Sequence, residues 1–212
     1  MRVTVPDTYH YDLAILVPDK NMEAAVKGIL TRPQALGIDP IDFRVYIHIG
    51  RDPGCYRHGH EFLRPMAGSH RHALIMLDRM GCGQDAMERR DIENEIENNL
   101  VRSGWEDRAA AIVIDPELEA WVWSRSPAVA ACLGWVSGSS EMRRWLAGKG
   151  LWAEHALKPT DPKLAVEQVM YHVRKRRSSA VYEQLGQKIS FQRCMDPAFQ
   201  KFKKTLQKWF GR

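Results

Sequence analysis

The sequence predicts an α/β fold: a mainly parallel, Rossmann-like sheet sandwiched by helices, followed by an all-helical C-terminal third. Three observations carry this. Short, almost continuously apolar runs recur at Tyr11–Val17, His72–Leu77 and Ala109–Ile114. Segments of helical periodicity separate them. From about Pro127 onward only helical patterns remain. A strand that is apolar without alternation is buried on both faces, the signature of a parallel sheet covered by helices.

The elements follow in order. YDLAILV ends at Pro18 as a first strand, and Asn21-Met22-Glu23 leads into the helical AAVKGIL. Phe43–Ile49 (FRVYIHI) alternates as a β-rich strand, and Gly50-Arg51-Asp52-Pro53-Gly54 reads as a turn. The run HALIML ends in Asp78, with a loop at MGCG and then a charged helix over Asp85–Arg102, striped by Met87, Ile92, Ile96, Leu100 and Val101. AAAIVI stops at Asp115-Pro116, and Glu117–Ser124 opens a further helix. Beyond it, SSEMRRWLAG starts from an N-cap serine, DPKLAVEQVMYHVRKRR from Asp161-Pro162, SSAVYEQLGQKI follows, and DPAFQKFKKTLQKWF closes the chain. The expected organisation is an α/β domain over residues 1–130 with a basic helical extension over 131–212 packed on it.

With 212 residues, 44% hydrophobic and 27% charged, the chain is of ordinary globular composition, which excludes a disordered or fibrous protein. No apolar stretch is long enough to span a membrane, and the N-terminus MRVTVPDTYHYD has neither the basic nor the apolar region of a signal peptide, so a cytoplasmic protein is expected. Cys55, Cys82, Cys132 and Cys194 are scattered, with no CxxC pair, and are read as reduced thiols.

The net charge of +5 is unevenly distributed. Residues 151–212 hold thirteen Lys+Arg against five Asp+Glu, and residues 1–150 carry a net −3. Arg174, Lys175, Arg176 and Arg177, with Lys201, Lys203, Lys204 and Lys208, either meet an anionic partner, DNA or RNA first, or form solvated helix faces.

Ligands of open parallel sheets collect beyond the carboxyl ends of the strands. Asp19, Asp78, and the group Asp115, Glu117 and Glu119 follow three of these ends. Carboxylates so placed suit Mg²⁺, a hard cation that takes oxygen ligands and keeps water positions open for phosphate. The same acids also serve as turn formers and helix caps.

The succession of a strand and short loop before a helix, Leu77-Asp78 at a later strand end, Glu117–Trp121 (ELEAW), the Asp161–Lys163 helix start and the Pro197–Phe199 helix resembles a small prokaryotic family of stand-alone proteins related to Toprim, the fold of topoisomerases, primases and related nucleases. The resemblance covers most of the chain in short motifs. It implies a component of a clustered antiviral (phage) defence system, with other defence proteins as partners. Two positions depart from the Toprim pattern. Pro18 stands where those enzymes have a glutamate, with Asp19 one place later, and Asp78-Arg79-Met80 replaces their DxD pair. Met80 does not serve a hard cation and Arg79 repels one. Two expectations result. In the first, the acidic site is degenerate and the protein is a nucleic-acid- or protein-binding subunit. In the second, Asp78, Glu117 and Glu119 are catalytic, with Asp85 also available to rebuild the site, and Asp19, Asp78 and Glu117 hold Mg²⁺ in a nuclease or phosphoryl-transfer enzyme.

Cys55, His58 and His60, or His70 and His72, with Cys82 nearby, form a zinc alternative without the spacing of any standard finger. Its competitor is ordinary packing and solvation. Cys82 with His72 is a weaker nucleophile-and-base pairing, and there is no Walker A or GxGxxG motif. Among seven tryptophans, Trp121, Trp123, Trp135, Trp145 and Trp152 read as core at the sheet–helix junction, with Trp209-Phe210 as the exposed pair fit for an interface.

Overall fold

The computed structural model describes residues 9–212 apart from Arg125, Glu154 and Arg193. The segment 1–8, on which much of the signal-peptide reading rests, lies outside the described residues. Four strands, β1 (Tyr11–Val17), β2 (Phe43–Ile47), β3 (His70–Asp78) and β4 (Ala109–Ile114), form one sheet in the order β2-β1-β3-β4, parallel throughout. This is the predicted class.

Alternation along the apolar strands divides them between two cores. Leu13, Ile15, Val17, Leu74, Met76, Ala110, Ile112 and Ile114 face one side. There they meet α1 (Lys20–Leu30), α5 (Glu119–Val122), α6 (Ala128–Leu133), α8 (Pro162–His172), α9 (Ser179–Lys188) and α10 (Pro197–Phe210). Ala14, Leu16, Ala73, Ile75, Leu77, Ala111 and Val113 face the other side, under α3 (Arg51–Leu63), α4 (Arg89–Leu100) and Trp105. The short α2 (Pro33–Leu36) and α7 (Ser139–Gly148) complete the helices used below. The C-terminal helices share a single hydrophobic cluster with the sheet.

The short α2 and the longer α3 were not predicted as helices. The GRDPG segment is the first turn of α3, and its glycines are packing devices. A Cβ on Gly54 would lie 2.2 Å from Nδ1 of His48, and one on Gly59 would lie 2.8 Å from Cδ1 of Ile75. Close approach of α3 to the sheet therefore selects residues of poor helix propensity, which read locally as a turn. A similar device joins α1 to α9: a Cβ on Gly28 would lie 2.3 Å from the Glu183 carbonyl oxygen, and one on Gly186 would lie 2.6 Å from that of Ala25. The two backbones cross in contact, and Arg32 Nη1 donates to the carbonyls of Gly186 and Ile189 at the end of α9.

The Asp-Pro starts behave as predicted. Asp161 accepts from the Leu164 N–H at 2.8 Å, and Asp196 accepts from Ala198 and Phe199 at 3.0 and 3.1 Å. Asp196 also accepts from Trp121 Nε1 at 3.0 Å, and Trp123 Nε1 donates to the Pro162 carbonyl at 2.9 Å. The segment after β4 is thus pinned to the starts of α8 and α10. Trp209-Phe210 is a correction to expectation. Phe210 is buried, and Trp209 stacks on His72 with centroids 4.4 Å apart, because the end of α10 folds back over the start of β3.

Edge strand β4 is closed by side chains. The outward N–H groups of Ala111 and Val113 donate to Glu97 Oε1 and Glu93 Oε1, each at 3.0 Å, from α4. Arg89 bonds Glu93 from the same helix, and Lys201 of α10 bridges Glu93 and Glu97 at 3.1 and 2.7 Å. Glu93→Ala leaves the Val113 N–H and Arg89 without their acceptor and Lys201 with Glu97 alone, and is expected to cost about 2–4 kcal/mol. Glu93→Gln, which keeps an acceptor oxygen, should cost clearly less. Urea unfolding midpoints of the three proteins test this, and equal midpoints would refute it.

Candidate functional site

The carboxyl ends of β1, β3 and β4 and the first turn of α3 converge on a cleft of about 330 Å³. Five acids line it: Asp19, Asp52, Asp78, Glu117 and Glu119. Three cations, Arg51, Lys163 and Arg177, line it as well. Of the predicted site residues, Asp19, Asp78, Glu117 and Glu119 are brought together. Asp85 and Asp115 face elsewhere, exposed on the surface, and Arg79 turns away with them. Its Nε donates to Asp115 at 2.9 Å and its Nη1 to the carbonyls of Asp85 and Met87. The charge expected to repel a cation is therefore neutralised outside the cleft.

Each acid is positioned differently. Asp19 caps α1, its Oδ1 accepting from the N–H groups of Asn21 and Met22 at 2.8 and 2.9 Å. Asp52 accepts from the backbone N–H of Asp78 at 2.8 Å, which ties the start of α3 to the end of β3. Glu117 pairs with Lys163 Nζ at 2.6 Å. Glu119 is 2% exposed and accepts from both Arg177 Nη2 and the Tyr182 hydroxyl at 2.6 Å. Arg177 also reaches Glu167 at 2.7 Å.

Asp78 differs from the other four. Its backbone is held by Asp52, yet its Oδ1 is buried without a hydrogen-bond partner among the described residues. Burial raises its pKa well above the usual carboxylate value, and the nearby charges of Asp52, Glu119, Glu117 and Asp19 push it further the same way. Burial also raises Asp52, although the Asp78 N–H works against the shift. On the cationic side, the hydrogen bond to Glu117 raises Lys163. Burial opposes the charge on Arg177, and Tyr182, Glu119 and Glu167 together more than offset it. Burial and then Glu119 raise the Tyr182 phenol.

A buried, unpartnered carboxylate oxygen in a cleft with four further carboxylates fits a hard divalent cation. Among the described residues no three His, Cys, Asp or Glu side chains are drawn close enough to hold a metal. Two of the acids are instead held by cations of the C-terminal third, Lys163 on α8 and Arg177 in the segment after it.

Asp52, Arg51 and Tyr182 were not among the predicted site residues. Asp52 also lies just beyond a strand end, that of β2, and reading GRDPG as a turn concealed it. The zinc candidates occupy separate places. Cys55 is buried inside α3, its thiol raised by burial. His58 is exposed on the same helix and pairs with Glu61, with His60 two residues on. His70 meets Ser69 and Tyr46, and His72 stacks on Trp209. Cys82 lies beyond the end of β3 and His72 near its start, about 20 Å along the strand from Asp78, so the two do not form a nucleophile–base pair.

The basic residues divide. Arg177 belongs to the acidic cleft, and Lys175 Nζ donates to the Cys132 carbonyl at 2.6 Å. Arg174 and Arg176 are exposed. Lys204, with Arg89, Arg90, Lys201 and Lys208, lines a groove of about 620 Å³ between α4 and α10, and Lys203 is half-buried on α10.

Comparison of the chain with protein-family models, curated proteins and solved structures finds no match. The class is therefore the one its fold and site define: a parallel α/β protein with an acidic cleft at its strand ends. Among the described residues, no helix is long and apolar enough to cross a membrane.

The protonated form of Asp78 is favoured in the folded protein at pH values where the unfolded chain has already released the proton. Stability from this group therefore falls as pH rises from about 4 toward the raised folded pKa. In chelator, Asp78→Asn is expected to stabilise the protein by about 1–3 kcal/mol near pH 8 and to leave stability near pH 4 unchanged. Urea titrations at the two pH values check this, and an equal effect at both would show the carboxyl to be solvated.

Proposed function

We propose that the chain acts on nucleic-acid phosphodiesters, as a Toprim-like, metal-dependent phosphoryl-transfer protein of a prokaryotic antiviral defence system. The observation that carries the chemistry is the unpartnered, buried Asp78 Oδ1 in a cleft with four further acids. Asp78, Asp52 and Asp19 would hold Mg²⁺, with Glu117 and Glu119 available once released from their ion pairs. The cation would supply Lewis-acid polarisation of a phosphoryl oxygen and a water of lowered pKa. Asp52 answers the departure noted at Met80, because it brings a second carboxylate to Asp78 from another element. Arg51, Lys163 and Arg177 suit phosphate oxygens at the same cleft. The exposed basic groove between α4 and α10 suits a nucleic-acid backbone. The defence-system setting, with other defence proteins as partners, is supported by the motif order shared with Toprim-related proteins.

A second reading has its own observation. Lys163–Glu117 and Arg177–Glu119 leave two acids already neutralised, the arrangement of a degenerate site in a binding subunit.

One experiment separates the two. Mn²⁺ at about a hundred times its dissociation constant is expected to stabilise the wild type by about 2.7 kcal/mol. Asp78→Asn should lose this stabilisation and reduce Mn²⁺- or Mg²⁺-dependent cleavage of single-stranded or plasmid DNA by at least about 100-fold. Stabilisation without cleavage would favour the binding subunit. Neither effect would overturn the metal reading.

A further inference from the structure

We propose that the face formed by α7, α8 and the turn after α8 is a base-stacking site for single-stranded nucleic acid. A groove of about 440 Å³ is lined there by Trp145, Lys149, Gln168, Tyr171, His172 and Arg174. No carboxylate and no aliphatic side chain contributes to this lining.

The rings are already ordered. His172, Trp135 and Trp145 pack as a triangle, with centroids 5.1, 4.7 and 5.3 Å apart and planes inclined by 29°, 35° and 52°. Trp145 and His172 of this cluster line the groove. Beside it Tyr171 is 83% exposed, so its ring has a face open to solvent. Lys149 Nζ stands 5.8 Å from the Trp145 centroid, and the Arg174 side chain is exposed with no hydrogen-bond or ion-pair partner among the described residues.

Flat rings flanked by cations, with no acid, match a nucleobase and its phosphate. Each base presents a π-face whatever its identity, and stacking on an aromatic side chain is sequence-tolerant. The charged side chains of the lining, Lys149 and Arg174, are all positive, which favours a polyanion. A duplex conceals its base faces in the stack, so the matching ligand is single-stranded.

The location links this face to the acidic cleft. Helix α8 begins at the cleft with Lys163 and ends at the groove with Tyr171 and His172. Arg174 has a positive φ of 54°, which turns the chain back so that Arg177 reaches Glu119. The Cα atoms of Arg174 and Arg177 are at most about 11 Å apart. A strand stacked on Tyr171 with a phosphate on Arg174 is thereby led toward Asp78. Only this last step rests on the phosphodiester reading of the cleft.

The test is fluorescence anisotropy in chelator, with a labelled oligothymidylate and a labelled blunt duplex. The wild type should bind the single strand more tightly than the duplex. Tyr171→Ala should weaken single-strand binding about tenfold, Tyr171→Phe should retain it, and Arg174→Gln should reduce the slope of log affinity against log salt by about 0.7. Unchanged single-strand affinity in Tyr171→Ala, or equal loss for duplex and single strand, would overturn the proposal. Its failure is distinct from failure of the cleft reading: absent metal-dependent cleavage by the wild type with intact Tyr171-dependent binding in chelator would sink the cleft reading alone.

Discussion

The structure depends on a parallel sheet that must be covered on both faces. Parallel strands all end at the same edge, so the loops that leave them share one rim. Asp19 follows β1 by two residues, Asp52 follows β2 by five, Asp78 ends β3, and Glu117 and Glu119 follow β4 by three and five, so the five cleft acids all sit at this rim. Covering the sheet with α3 on one face and α1, α8 and α9 on the other walls this rim and buries Asp78 Oδ1. The electrostatics of the cleft follow from the packing: burial is the leading cause of the shifts at both Asp78 and Asp52, and like charges add to it.

The basic C-terminal third answers that concentration of acid in part. Lys163, Arg177 and Lys201 come from this region, and each pairs with a glutamate on the α/β part: Glu117, Glu119, and Glu93 with Glu97. The sequence surplus of positive charge is therefore divided between internal neutralisation and exposed side chains such as Arg174, Arg176 and Lys204. Pairs like these contribute little net stability when measured against an apolar core, but removing one member leaves a buried charge uncompensated. They hold the helical region in register with the cleft.

Much of this was legible in the sequence. Three strands could be read from apolar continuity and β2 from alternation, both local properties of the chain, and Asp161 and Asp196 could be read as caps because capping involves residues two or three apart. What escaped depends on contacts distant in sequence. Helix α3 was hidden because Gly54 and Gly59 are chosen by His48 and Ile75, not by helix propensity. Asp52 escaped with it. The helix starting at Asp161 was expected to continue to Arg177, yet α8 stops at His172, since Glu119, Glu167 and Tyr182 draw Arg177 inward. Trp209 reads as exposed until the end of α10 is known to lie against His72.

The carboxylates of Glu93 and Glu97 on β4 carry a consequence for assembly. An unpaired strand border is an invitation to intermolecular pairing, with fibre growth as the extreme outcome. Here that border already has its acceptors, supplied from within the same chain. Lengthening of the sheet past β4 would require breaking a cross-braced set of charges, so the protein can crowd against copies of itself on that flank without zipping to them.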